Sequence, residues 1–199
     1  MATIPTSPGL DRSDLLRGLA AGLVGGVVAS AAMNTFQSAV TPLLQKAQRA
    51  NDDGGQGSRA DDDSSEPATV RLAEVVSSSL LGHCLRDDEK DAAGEAVHYA
   101  TGAALGGLYG LAAGLEPRVT AGAGMAYGIA VAAVLDEAIV PALRLSGPPW
   151  RSPLSTHAYS LASHLVFGRL CCANQPEGEF PLIPVSPTQR AAWSACRGV

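Results

Sequence analysis

Glu95 and His98 stand three residues apart, the spacing at which a carboxylate and an imidazole meet on one turn of a helix. Asp136 and Glu137 are adjacent within an apolar stretch, and His157 and His164 lie seven apart, in line on one helix face. Asn34 falls near the end of the first long apolar run. Three chemistries suit such a set. Imidazoles titrate near neutrality, so histidines alternating with carboxylates can relay protons or hold small cations. His98, His157 and His164 with a carboxylate are also donors for Zn, Cu, Fe or Ni, and a histidine pair across helices can hold a haem. The third role is structural: hydrogen bonds between helices that lock their register, at about 0.6–2 kcal/mol each in a bilayer. Two Glu-x-x-His motifs would make the di-iron carboxylate pattern of helical bundles, but this chain carries the motif only at Glu95–His98. No GxSxG, HExxH or Walker sequence is present, and Ser155-Thr156-His157 forms no nucleophile arrangement, so an enzyme is not expected.

The elements that must position these groups are apolar and rich in small residues. Four stretches are long enough to cross a bilayer, which takes about 20 residues: 15–36, 92–115, 119–143 and 154–172. The expected fold is all-α, an integral membrane four-helix bundle with glycine-rich helix packing and a partly disordered loop. The membrane domain covers 15–172, between an N-terminal tail at 1–14 and a C-terminal tail at 173–199. The polar loop 45–91 contains an acidic, low-complexity segment at 51–67 that should be disordered. Within 69–85, Val70, Ala73, Val76, Leu80 and Leu81 share one face, as in an amphipathic helix lying on the bundle or the membrane. The first apolar run has a rival reading as a signal peptide, with Arg12 and Arg17 as its basic end and Ala29-Ser30-Ala31 as a cleavage site. The apolar pattern continues through Val40 and Leu44, which favours a span.

Small residues recur every fourth position in each stretch. Gly22 and Gly26 lead toward Asn34, and Gly102, Gly106 and Gly110 lead back to His98. Gly124 and Gly128 lead to Asp136, and Gly168 shares a row with His164. Such rows let helix backbones approach closely in a membrane, so the polar residues they run into should face other helices. In an up-down-up-down bundle, Asn34, Glu95, His98, Asp136, Glu137 and His157 all fall at one end, with His164 two turns deeper. A single stray charge in a span is expensive; a set assembled from several spans points to a functional site.

Composition agrees with this reading. The chain has 199 residues, a formal charge of −5 and a mean hydropathy of +0.12, the average of apolar spans and polar connecting segments. The acidity excludes a nucleic-acid partner, which would call for a basic stripe. The expected partners are the lipid bilayer and, through the glycine rows, another membrane subunit. The four cysteines show no CxxC spacing, and Cys171-Cys172 reads as reduced filler near a helix end. Lys and Arg are too evenly divided between the two ends to orient the bundle.

Several motifs carry a resemblance: His98-Tyr99, Gly106-x-x-Tyr109-Gly110, Tyr127-Gly128, Asp136-Glu137, Gly147-Pro148-Pro149, Pro153-Leu154-Ser155-x-His157 and His164-x-x-x-Gly168. Over about residues 92–172 the chain resembles the YagU-like family of uncharacterised bacterial inner-membrane proteins. The resemblance implies an inner-membrane location and a loose association with survival in acid. It supplies no catalytic residues, so the candidate site rests on the physical argument.

Overall fold

A computed structural model describes residues 12–52 and 66–173. Of the tails expected at 1–14 and 173–199, residues 12–14 and 173 are helical and the rest, with most of the acidic segment 51–67, lies outside the described residues. All regular structure among the described residues is helical.

Helix α1 (Arg12–Asp52) is one rod that runs past the span expected at 15–36 and carries Pro42 inside it. Helix α2 (Ala68–Val76) continues as a π turn over Ser77–Leu81 and stops at Gly82, whose φ of 64° is left-handed. Helix α3 covers Asp87–Leu115, with Asp87, Asp88 and Glu89 in its first turn, where the helix dipole favours negative charge. Pro117–Gly124 then winds as 3-10 turns, and the positive φ of Gly122, Ala123 and Gly124 keeps an α-helix from running through its end. The stretch expected to span from 119 therefore becomes α-helical only at α4 (Met125–Val134). It passes through a π turn at Leu135–Ile139 into the short α5 (Val140–Ala142). Helix α6 covers Leu154–Ala173.

Two glycine ladders organise the bundle. Along the first, Gly18 meets Gly110, Gly22 meets Gly106 and Gly26 meets Gly102, so each step of four up α1 is a step of four down α3. The backbones touch: a methyl group on Gly106 would sit 2.5 Å from the Cα of Gly26, and one on Gly18 would sit 2.7 Å from the Gly110 carbonyl oxygen. In the second ladder Gly124 meets Gly168 and Gly128 meets the backbone of His164, which pairs α4 antiparallel to α6. Helix α1 also packs on α6 and thereby joins the two pairs. Between α3 and α4 the contact is made by large side chains. Tyr127 donates to the Leu105 carbonyl at 2.7 Å, and the Tyr109 and Tyr127 rings lie 4.9 Å apart. The core at this level is Ala29, Met33, Tyr109, Phe167, Cys171 and Cys172. Cys171 is buried and outside any disulfide, whereas Cys172 is disulfide-bonded, so the two neighbours are not the reduced pair expected and are not bonded to each other.

Two helical stretches, Leu15–Lys46 and Gly122–Ala142, are long and apolar enough to cross a membrane by length and composition.

Candidate functional site

The ladders deliver the polar residues in register. One step beyond Gly26–Gly102 stand Ser30 and His98, and a further step brings Asn34 to Glu95, where the Asn34 amide donates to Glu95 Oε1 at 2.8 Å. In the second pair, Asp136 stands two steps of four beyond Gly128 and Ser160 one step beyond His164, and the Ser160 hydroxyl donates to Asp136 Oδ2. His164 Nδ1 lies 3.5 Å from the same oxygen and 3.0 Å from the Ser160 carbonyl. Glu137 and His157 form a third contact, with Oε1 2.5 Å from Nδ1, while the other ring nitrogen of His157 faces the Pro149 carbonyl at 3.1 Å. An α-helix would point Asp136 and Glu137 about 100° apart. The π turn alters that phase, and both acids reach α6.

A cleft of about 620 Å³ lies between these pairs. Ser30 and Asn34 line it from α1, Glu95 and His98 from α3, Asp136 from the π turn and His164 from α6. Glu137 and His157 do not line it; they brace its outer edge beside the Pro149 turn. Two polar atoms at the cleft are buried without a hydrogen-bond partner, Ser30 Oγ and His98 Nε2. The i,i+3 spacing of Glu95 and His98 is thus not used for a bond between them: Glu95 turns to Asn34, and the His98 ring stands edge-on to Tyr99 at 5.7 Å. A shallower hollow of about 840 Å³ shares Asn34, Gln37, Glu95 and Tyr159 with the cleft, so the Asn34–Glu95 pair is a wall common to both.

Helix α2 forms part of the cleft's lining. Residues 67–70 and Leu72 contribute to its wall, and Val70 fills a notch left by Gly94, where a methyl group would sit 2.5 Å from Val70 Cγ2. Lys90 ties α2 to α3, with Nζ 2.7 Å from Glu66, 3.0 Å from Glu74 and 3.5 Å from Asp87. The hydrogen bonds to Glu66 and then Glu74 hold the Lys90 ammonium above its ordinary pKa. Beside it, Glu89 accepts from the Arg86 backbone N–H at 3.0 Å and lies 3.2 Å from His83. Those two hydrogen bonds, the backbone one first, hold its carboxyl below the ordinary value.

Ser30 and Ser160 are not among the site residues expected from the sequence. Each lies one helical turn from a candidate residue, Asn34 and His164 respectively, and that spacing was the available signal for a polar role. Among the described residues, no three His, Cys, Asp or Glu side chains converge as a metal-ligand set.

A family described as a protein of unknown function (DUF1440) matches residues 61–172, more than half of the chain. The chain belongs to this family. The DUF1440 match takes in α2, α3, α4 and all but the last residue of α6, hence all the polar candidates except Asn34 and all of the cleft except its α1 wall. No curated protein and no solved structure matches the chain.

Proposed function

We propose that this DUF1440 protein is a multi-pass protein of the bacterial inner membrane that handles protons or small cations through the cleft at Glu95, His98, Asp136 and His164. The cleft carries the reading: carboxylates and imidazoles from separate elements line one cavity that the glycine ladders hold in place. Ionisable groups gathered at membrane depth around a cavity mark ion and proton pathways.

The membrane setting has its own support. Only 33% and 28% of the two apolar windows is buried within the chain, whereas the core helix of a soluble protein is mostly covered. Leu16, Val24, Val27, Leu108, Ile129 and Val134 face outward, as lipid-facing residues do. Helices α3 and α6 are less apolar, but the ladders pair each with an apolar partner, which supports a reading in which α3 crosses with α1 and α6 with α4. At 1.5 Å per residue, α1 is roughly 60 Å long, about twice the hydrocarbon thickness, and one part of it stands in water. The YagU-like resemblance connects this activity with survival in acid.

Purified protein reconstituted in vesicles tests the proposal. Glu95→Gln and His98→Ala should each lower proton flux at least tenfold while the protein stays folded. Wild-type flux in both folded variants would discard the reading.

A further inference from the structure

We infer that the cleft binds a protonated amine carried on an apolar body. This rests on the cleft being the functional site, as proposed above, and names an occupant beyond the proton itself. Charge comes first. Asp91, Glu95 and Asp136 line the cleft, and no Lys or Arg does among the described residues. An anionic ligand would meet like charge, and a cation meets its complement. Shape comes second. The remaining walls include Met33, Leu72, Val131, Leu135 and Phe167, and the volume of about 620 Å³ falls within the roughly 300–1,000 Å³ of small-molecule sites. A proton or bare metal ion needs neither the apolar walls nor that volume.

The third observation selects an ammonium that bears N–H groups. Ser30 is fully buried, its Oγ has no partner, and the same holds for His98 Nε2. Both residues line the cleft. A buried polar group left unsatisfied costs about 1–3 kcal/mol. An alkylammonium offers three donors. It can give one to Ser30 Oγ, one to His98 Nε2 in the tautomer whose proton sits on Nδ1, and one to a neighbouring carboxylate, with its apolar body against the aliphatic wall. A quaternary ammonium lacks those donors and leaves both atoms unmet.

The test uses the full chain in phosphatidylcholine nanodiscs and three probes of one size: 2-phenylethylamine, 2-phenylethanol and phenylacetate. At neutral pH the amine should bind at one site, the alcohol at least tenfold more weakly, and the anion not at all. Glu95→Gln and Asp136→Asn should each weaken amine binding at least tenfold with little change in thermal stability, since the amides still accept from Asn34 and Ser160. Ser30→Ala should cost a few-fold. Equal binding of amine and alcohol, or amine affinity untouched in both carboxamide variants, would overturn the inference, and the first comparison needs no variant. Cluster variants that abolish proton flux in a protein that binds no amine would remove this inference and leave the proton reading. Amine binding without flux would do the reverse. An ammonium can also come from a lipid headgroup. Displacement of the probe by short-chain phosphatidylethanolamine assigns the site to lipid, and failure to displace assigns it to a free amine.

Discussion

At the scale of single residues, the chemistry of the cluster depends on which partner each carboxylate selects. Glu95 is held by the Asn34 amide across the α1–α3 interface, which leaves the imidazole one turn along its own helix without a partner at Nε2. Asp136 is shared by a serine and a histidine of α6, and Glu137 takes His157. Of the carboxylates lining the cleft, Glu95 and Asp136 are thereby each held by side chains of a neighbouring helix. Outside the proposed membrane-spanning segments, Glu89 shows the same logic at a helix start. Its folded pKa lies below the ordinary carboxylate value of 4.5. A depressed carboxyl contributes stability above its unfolded pKa, and that contribution disappears as pH falls through the folded pKa. The start of α3 should therefore hold its protection at neutral pH and lose it below about pH 4.5. Hydrogen exchange of amides 87–92 in wild type and Glu89→Gln measures this. The variant should exchange faster at pH 7, and the difference should shrink as pH falls below about 4.5.

At the scale of elements, the ladders do most of the positioning. Gly22, Gly26, Gly102 and Gly106 leave no room for a side chain between α1 and α3. Overpacking a close contact costs typically about 1–3 kcal/mol and more where backbone must move. Gly106→Leu should unfold or misregister the α1–α3 pair, with a large drop in thermal stability and loss of the Asn34–Glu95 hydrogen bond. Gly147→Ala, at an open position with nothing within 4 Å, should leave the melting temperature unchanged. Equal tolerance of the two changes would refute the ladder as the main determinant of register. Helix α2 is positioned by a different means, a valine in a glycine notch and an ion cluster at Lys90, both at the protein's polar end.

At the scale of the whole molecule, two antiparallel pairs joined through α1 and α6 leave a cleft where α3 and α4 stand apart. The proposed four crossings would place the connections on opposite faces in turn. The free, exposed Cys84 and a cysteine introduced at the exposed Trp150 should react with an impermeant thiol reagent from the same side of the membrane. A cysteine at the exposed Glu116 should react from the other side. Labelling of all three from one side would dismantle the four-crossing arrangement.

Helical class, the faces that pack and the end of the bundle where polar residues collect were all legible in the residues themselves. Their signals are local: small residues at intervals of four mark a contact face wherever that face docks, and Asn34, His98 and Asp136 extend the rows. Pairing was not legible, because a row of glycines states that a neighbour comes close without naming it. Only the folded chain decided that α1 ladders on α3 and α4 on α6, that a π turn brings Asp136 and Glu137 to the same neighbour, and that α2 walls the cleft. Register between helices is a property of two surfaces meeting. A shift of one turn along α3 would have preserved every local pattern while taking Asn34 away from Glu95.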